Sequence, residues 1–499
     1  MNKLQLIKES LFLLMVGVGS MSVWADDINV VALGIKPNMS ETCTKRMQQA
    51  IDSCSHTGGG QVYLPAGTYT VGSLRLKDGV ELYLSKGAVL QGSVNHPADY
   101  AAGRGVVTGY GVENCGVAGP GLIDGRGWHE NFQRYGNNQG DRPHAIYLEN
   151  CKQVYVKDVR IRNAAWWTFR LFRCDGVAID SVDIYSHSIV NNDGIDVDAR
   201  NVTISNCHIE SDDDGICLKS DDPNFMPENI TVTNCVIASN CNPIKLGTSS
   251  HCIFRNVTFS NCVIHAPSES NVWDWSKEYQ GVKPGTLTGL SGIAVESVDG
   301  GVIENLHFSN ISMTGVITPI FMCLNKRKGK AGNIRNVVFS GITAKAHGMI
   351  PCLISGIPEK KIEGITLRDI IVEHQGGGTS EEATKVLPEN ERGYPENRMY
   401  GNVNPACGLY VRHASNVTVD NFQVTLQKSD ARPIMIWNDV NDVHAEHLSC
   451  FSPEVCKQAF IRLINCRNFL VEDNARYNGT VLLDKREGCN NIQVANIWK

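Results

Sequence analysis

The mature part of this sequence lacks the features that membrane proteins and nucleic-acid-binding proteins need. After residue 25 no segment approaches the roughly 18 consecutive apolar residues that a membrane-spanning helix requires. The net charge is −6, so no basic surface is expected to attract nucleic acid or an anionic membrane. Aromatic residues make up only 7% of the chain, whereas glycine occurs 47 times. This composition favours a chain with many turns over a helical bundle.

The first 25 residues have the layout of a secretory signal peptide. Lys3 and Lys8 precede a short apolar run at 11–18, and small Ala25 ends the segment. We therefore predict export to the periplasm or the extracellular space, and we take residues 26–499 as the mature protein.

The 18 cysteines of an exported chain suggest disulfides at first. Several of them, however, follow an asparagine in the same local phrase, which predicts stacked interior positions with reduced, buried thiols. These are Cys151, Cys207, Cys235 and Cys262. The pairs that we consider for disulfide bridges are Cys43 with Cys54 and Cys450 with Cys456.

A short phrase repeats along most of the chain. Clear copies are NVTISNCHIE (201–210), NITVTNCVIA (229–238) and NVTFSNCVIH (256–265). Each copy alternates apolar and polar residues, which predicts short strands joined by a turn. Repeats of this length predict a solenoid, and the absence of a leucine frame disfavours leucine-rich repeats. We predict an all-β parallel β-helix, with interior asparagines forming ladders at the turns.

One repetitive core accounts for the length of the chain, so we predict a single domain over 26–499. Residues 28–92 are interpreted as the N-terminal cap and first coils, with a short capping helix from Thr42 to Ser53. Met47, Ala50 and Ile51 form its apolar stripe. Residues 450–499 are interpreted as the coils that close the other end.

Two acidic clusters lie about one coil apart in NNDGID (191–196) and DDGICLKS (213–220). Stacked coils would bring Asp193 close to Asp213 and Asp214, and crowding would raise the pKa of one of them. Such an acid beside an ionised carboxylate suits an inverting glycosidase, whose carboxyls lie about 6.5–9.5 Å apart. A calcium site or a solvated acidic face is the alternative from spacing alone.

These two motifs resemble the N-T-D and D-D-C-I-A motifs of glycoside hydrolase family 28, the bacterial polygalacturonases. The resemblance extends in order through GGGQVYLPAGTY (58–69), LIDGRGWH (122–129) and DRPHAIYLENC (141–151). It implies a right-handed, pectate-lyase-like parallel β-helix that hydrolyses α-glycosidic bonds with inversion. No cofactor or metal is implied.

The resemblance also implies roles for individual residues. Asp213 matches the general acid, and Asp193 and Asp214 match the carboxylates that activate water. Asn191 matches the motif asparagine that orients these groups, and Asn192 takes the place of the family threonine. We expect these two residues, and Asn242 and Glu296 of later coils, to contact the substrate.

The sequence departs from the family at two motifs. Asn242 stands where the family has histidine, and Ala294 and Glu296 stand where it has a basic pair. Because a carboxylate would repel a uronate, we expect Lys219 and Lys245 to supply positive charge, or the sugar to differ.

Outside the motifs, His187 is a candidate for the substrate groove. Two long gaps in the repeat, near 266–304 and 374–415, predict loops that wall the binding face. Trp273 and Trp275 in the first gap would stack on sugar or lie buried. Walls at one end of a groove would favour attack on chain ends.

We therefore expect a secreted, monomeric glycoside hydrolase that acts on pectic polysaccharide or oligosaccharide containing galacturonic acid. Rhamnogalacturonan or another decorated glycan is the alternative substrate. A polysaccharide lyase and a non-catalytic glycan-binding solenoid are the alternative functions.

Overall fold

A computed structural model describes residues 27–101, 103–133, 142–472, 476–479 and 481–495. The predicted signal peptide, 1–25, lies outside these residues. Among the described helices, none is long and apolar enough to cross a membrane.

Strands make up most of the ordered chain. The strands of the first third are β1 Ile28–Asn29, β2 Gly60–Leu64, β3 Gly67–Val71, β4 Leu74–Arg75, β5 Val80–Leu84, β6 Ala88–Gly92, β7 Gly105–Tyr110, β8 Gly116–Ala118, β9 Leu122–Asp124, β10 His144–Glu149, β11 Lys152–Lys157 and β12 Arg160–Arg162. Those of the middle third are β13 Phe169–Asp180, β14 Asp183–Ser186, β15 Ile195–Ser205, β16 His208–Ser211, β17 Ile216–Ser220, β18 Glu228–Thr233, β19 Val236–Ser239, β20 Ile244–Ser250, β21 Ile253–His265, β22 Gly289–Ser297 and β23 Val302–Leu324.

The strands of the last third are β24 Asn333–Ala346, β25 Cys352–Ser355, β26 Ile362–His374, β27 Leu409–Leu426, β28 Met435–Glu446, β29 Ser449–Phe451, β30 Ile461–Ile464, β31 Arg467–Glu472, β32 Arg476–Tyr477, β33 Leu483–Lys485 and β34 Asn490–Ala495. The α-helices are α1 Thr44–His56 and α2 Glu130–Gln133. Single 3₁₀ turns lie at Val30–Leu33, Ala98–Tyr100, Trp275–Lys277, Glu382–Thr384 and Asn397–Tyr400.

The strands pair in parallel from one coil to the next, as the repeat predicts. Ile195 pairs with Ile216, Ile216 with Ile244, and Ile244 with Ile293. All four side chains point inward and are fully buried. The predicted all-β parallel solenoid is therefore confirmed. Because side chains alternate along a strand, the residues next to these inward positions face outward.

A hydrophobic core runs through the coils from Val30 to Val471. Helix α1 begins two residues later than predicted, at Thr44, and its predicted apolar stripe is buried against the first strands. The stripe consists of Met47, Ala50 and Ile51, extended by Cys54.

The predicted asparagine ladders form, but on the solvent-facing side of the turns rather than in the interior. Asn229 donates to Asn201 at 3.0 Å, and Asn256 donates to Asn229 at 3.0 Å. Asn305 and Asn336 extend the ladder at 3.4 and 3.2 Å. All five adopt left-handed backbone conformations, with φ between 55° and 58°. Asparagine suits these turns because its short polar side chain tolerates the left-handed region.

The cysteines that follow these asparagines lie in the core, as predicted. Cys151, Cys207, Cys235 and Cys262 are buried, and all 18 cysteines are free thiols in this structure. Neither Cys43 and Cys54 nor Cys450 and Cys456 form a bridge here.

Two long insertions interrupt the coils, close to the predicted gaps. The first, residues 266–288, separates β21 from β22, and the second, residues 375–408, separates β26 from β27. The first gap is shorter than predicted because β22 and the start of β23 occupy residues that the repeat did not reveal.

We expect Asn256→Ala to lower the free energy of unfolding by about 2 kcal/mol. A left-handed conformation costs an ordinary residue roughly 1–2 kcal/mol, and the variant also loses two exposed ladder hydrogen bonds. Urea denaturation of the wild type and of the variant measures the difference.

Asn256→Gly is the matched control, since glycine accepts the positive φ but makes no ladder. It should lose less stability than the alanine variant. Equal losses for the two variants would show that backbone conformation does not explain the repeated asparagine.

Candidate active site

Consecutive coils bring the acidic clusters together at the start of two strands. Asp193 lies two residues before β15, and Asp214 lies two residues before β17. The Gly194 N–H donates to the Asp214 carbonyl at 2.8 Å, and the Gly215 N–H donates to the Asn242 carbonyl at 2.9 Å. Asp193, Asp214 and Asn242 therefore lie above one another in a single column across three coils.

Gly194 and Gly215 permit this close stacking because they lack side chains. A Cβ atom on Gly194 would lie 2.5 Å from the Gly215 carbonyl oxygen, and one on Gly215 would lie 2.5 Å from that of Pro243. The sequence suggested that these glycines allow a bend between neighbouring acids. The structure shows that they also allow one coil to approach the next.

Asp213 neighbours the column and is half-buried. One of its carboxylate oxygens accepts the Asp214 N–H at 2.9 Å, and the other accepts the Asn191 amide at 3.5 Å. Asn191 is held in turn by the Arg142 guanidinium, which donates to its side-chain oxygen at 3.3 Å. Asn191 therefore contacts Asp213, the acid that the resemblance expects it to orient.

The three acids have different pKa values because their surroundings differ. Loss of water around Asp213, together with the charge of Asp214, raises its pKa to about 7. Burial opposes ionisation of Asp214 as well, yet the ammonium groups of Lys245 and Lys219 hold its pKa below the usual value. Burial and the charge of Asp196 raise the pKa of Asp193 well above its ordinary range.

Lys245 provides most of the positive charge at Asp214. Its ammonium lies 2.9 Å from Asp214 and 3.9 Å from Glu296. Asn242 adds a side-chain hydrogen bond to Asp214 at 2.8 Å. The asparagine that replaces the family histidine therefore contacts a catalytic candidate directly, as a neutral donor.

Lys219 pairs with the carboxylates of the preceding coil. Its ammonium lies 3.0 Å from Asp196 and 3.6 Å from Asp193. The same ammonium lies 4.6 Å from the ring centre of half-buried Trp167. Both lysines that the sequence identified are thus nearly buried within the acidic cluster, rather than on a solvated rim.

Glu296 is buried beside the column with one carboxylate oxygen that has no hydrogen-bond partner among the described residues. Burial raises its pKa to about 8, against the opposing charge of Lys245. Ala294 lies opposite Lys245 in the strand register. The positive charge expected on the 289–297 strand is therefore found one coil earlier.

Asn192 does not face the groove, although it lies within the first motif. Its side-chain oxygen accepts the N–H groups of Ser188 and Ile189, and its amide donates to two backbone carbonyls of the preceding coil. With 0% exposure it has no free group for substrate. Its position corrects the expectation of a sugar contact and gives it a turn-holding role.

His187 also lies away from the groove. Its buried imidazole is 3.4 Å from Glu210 and 3.6 Å from Asp212. Although burial disfavours the charged ring, these two acids raise its pKa to about 9. The structure replaces the expected groove contact with a buried ion-pair cluster.

Several residues near the acids were not identified from the sequence. Asp196 and Arg142 contact motif residues, and their positions follow from the coil register. Tyr394 and Glu396 come from the second insertion, and loss of surrounding water raises the pKa of both groups against the opposing charge of Lys245. Their only sequence signal is their place in a long loop.

The cluster also contains donor atoms that a metal ion could use. Among the described residues, Asp193, Asp214 and Cys217 bring ligand atoms within 4.8 Å of one another. The Lys219 ammonium, however, lies 3.3 Å from the Cys217 sulfur, and Lys245 pairs with Asp214. Calcium takes six to eight oxygen ligands, and in this cluster ammonium groups occupy positions that such ligands would need.

A comparison with known protein families identifies the family of this chain. The model for glycosyl hydrolases family 28 matches residues 54–391, more than half of the chain. The chain belongs to glycosyl hydrolase family 28. Both acidic motifs and the coil that carries Glu296 lie inside the matched region.

The alignments with similar proteins cover most of this chain and most of each relative. An endo-polygalacturonase of Pectobacterium parmentieri is 24% identical over 402 residues, which cover 72% of this chain and 93% of that protein. An exopolygalacturonase structure from Thermotoga maritima has a TM-score of 0.58 at 20% identity, covering 70% of this chain and 87% of that one. A polygalacturonase structure from Erwinia carotovora ssp. carotovora has a TM-score of 0.53 at 19% identity, covering 84% and 97%. The two structures show that the fold is shared.

We expect Lys245→Met to destabilise the protein by about 3–5 kcal/mol, because it leaves Asp214 and Glu296 buried without their cation. The pKa of Asp214 should rise as well. Thermal and urea denaturation measure the stability loss.

Lys277→Met is the matched control, since the Lys277 side chain is 80% exposed in its pair with Asp274. It should change stability little. If the two variants were equally stable, the buried pair would not hold the site together.

Proposed function

We propose that this family member is an inverting glycoside hydrolase that cleaves α-linked pectic chains. The observation that carries the proposal is the opposite shift of two adjacent acids, Asp213 and Asp214. One is suited to hold a proton near neutral pH, and the other to remain ionised. Hydrolysis with inversion needs this pair of protonation states.

Asp213 acts as the general acid and protonates the leaving oxygen of the glycosidic bond. Asp214 acts as the general base, because it is the carboxylate of the column that stays ionised. Asp193 lies beside it and has a buried oxygen without a hydrogen-bond partner among the described residues. A buried acceptor of this kind needs a partner, and the attacking water supplies one. Asp193 therefore positions the water that Asp214 deprotonates.

The substrate assignment rests on the family and on the charge of the cleft. The relatives named above are polygalacturonases, which supports a chain containing galacturonic acid. Rhamnogalacturonan is the second candidate, because Lys245 already pairs with carboxyl groups of the protein, Glu296 among them at 3.9 Å, and has less attraction left for a uronate. Export to the periplasm or the extracellular space follows from the predicted signal peptide and would bring the enzyme to such polymers.

Asp213→Asn should lower kcat on the order of 10²–10⁴-fold, the usual contribution of a general acid. Reducing-sugar release from homogalacturonan and from rhamnogalacturonan fragments measures it. Proton NMR of the first products should show the anomer opposite to that of the cleaved bond.

Asp222→Asn is the control, because Asp222 pairs with Arg173 away from the column. It should leave kcat unchanged. Full activity of Asp213→Asn would show that Asp213 is not the general acid. Unsaturated products that disappear with a chelator would indicate a lyase, and cleavage of neither glycan would indicate a binding protein.

The pH dependence of kcat follows from the same two acids. Activity should fall as pH rises through about 7, because Asp213 then loses the proton that it must donate. It should persist well into the acid range, because the pKa of Asp214 is lowered. Lys245→Met should move the acid limb to higher pH. Activity that does not fall near neutral pH in the wild type would contradict the assignment. So would a fall at the same pH in the wild type and in Asp213→Glu.

A further inference from the structure

The column of acids continues into coils that are covered. Ser291 lies two residues before Ile293, as Asn242 lies two residues before Ile244, so Ser291 follows Asn242 in the column. Thr318 pairs with Ser291 and comes next. Both side chains are buried, whereas Trp167, one coil before Asp193, is half-buried.

The cover over these positions is the second insertion. The Asn397 amide donates to the Leu290 carbonyl at 2.7 Å, to the Thr318 hydroxyl at 3.0 Å and to the Ser291 hydroxyl at 3.4 Å. Asn397 itself is buried. The insertion therefore sits directly on the column, one coil beyond Asn242.

Apolar packing holds the second insertion in place. Outward-facing Phe321 and Leu353 of the sheet are buried in a cluster with Leu387 and Tyr400 of the insertion. Each such side chain contributes about 1.5–3 kcal/mol when it is buried. Lifting the insertion would expose several of them at once, so it is a fixed part of the fold and not a movable flap.

The first insertion braces the second. Tyr279 donates its hydroxyl proton to Asn397, and Glu278 pairs with Arg398. Asn402 donates to the Glu278 carbonyl at 2.7 Å.

Residues 268–271 of the first insertion lie beside the acids, where the Asn271 N–H donates to Asp212 at 3.1 Å. We refer to residues 278–288 and 375–408 together as the end wall. At Asn397 it begins one coil spacing, roughly 4.8 Å, beyond Asn242.

Tyr394 gives the end wall an accessible aromatic surface. Its side chain is 54% exposed, and the Arg327 guanidinium lies 5.7 Å from the ring centre. The preceding Gly393 is anchored by Asn325, which donates to its carbonyl at 3.0 Å. Aromatic faces of this kind are amphipathic surfaces on which a sugar ring can pack.

We propose that the end wall restricts the enzyme to the ends of glycan chains. This inference rests on the proposed function. The terminal sugar lies between the acids and the end wall, against Tyr394, and the rest of the chain leaves past Trp167. A wall roughly one coil spacing from Asn242 leaves room for a product of one or a few sugars, so a long chain cannot thread through the site.

The decisive experiment compares product patterns from the wild-type protein. Homogalacturonan and rhamnogalacturonan polymers, and oligosaccharides of each labelled at the reducing end, are digested in parallel. Release of one small product from one end of the oligosaccharides, with little early loss of polymer viscosity, supports the proposal. The label shows which end is attacked, and either end agrees with it.

Mid-chain fragments with a steep early fall in viscosity would overturn this inference and leave the proposed function intact. Cleavage of neither substrate would overturn the proposed function itself. The two failures are therefore distinguishable.

Three variants locate the effect in the end wall. Replacement of residues 391–398 by a short glycine linker removes the segment that covers the column, and longer products should appear beside the small one. The linker joins Asn390 to Met399, whose carbonyl already accepts the Asn390 amide at 2.7 Å. Val386→Ala, at an 89% exposed position of the same insertion, is the control, and its product pattern should match the wild type. Tyr394→Ala, at an exposed ring, should raise KM several-fold while single-product release persists. Unchanged KM in Tyr394→Ala would remove that residue from the terminal subsite.

Discussion

Parallel hydrogen bonding between successive coils is the constraint from which the site follows. Ile195, Ile216 and Ile244 must stack inside the solenoid, because the core offers no other place for them. Residues two positions earlier are then forced into a column on the cleft side. That column places Asp193 beside Asp214, where their mutual repulsion must be offset. The acids are neighbours because the core is continuous. The same register places the ammonium groups of Lys219 and Lys245 beside them.

The compensating positive charge is distributed unevenly among the acids, and this difference gives them different pKa values. Lys245 and Asn242 both contact Asp214, whereas Lys219 is shared between Asp193 and Asp196. Asp214 is thereby the acid whose charge is best compensated. At Asp213, burial and the charge of Asp214 outweigh the same ammonium groups, so its pKa is raised. Two adjacent residues just before β17 therefore reach opposite protonation tendencies.

The sequence allowed the repeat, the parallel coils, the buried cysteines and the column of acids to be predicted, because all of them depend on spacing. Asn192 and His187 were placed wrongly for a different reason. Their side chains are committed to partners in other segments, such as the backbone before β13 and the acids Glu210 and Asp212. Spacing does not reveal such partners. Tyr394 and Asn397 were missed because an insertion far along the chain brings them to the column, and its path has no repeat to follow.

The missing basic pair of the family takes on a different meaning in the folded chain. Lys245 lies opposite Ala294, so a positive charge is present one coil before the expected strand. Its ammonium is 2.9 Å from Asp214 and 3.9 Å from Glu296, so this charge stabilises carboxyl groups of the protein. A cation that stabilises an internal carboxylate at short range has less attraction left for a carboxylate on the substrate. Under the proposed function, this charge therefore keeps Asp214 ionised instead of binding the sugar, and we infer that the residues of the end wall take over recognition of the terminal sugar.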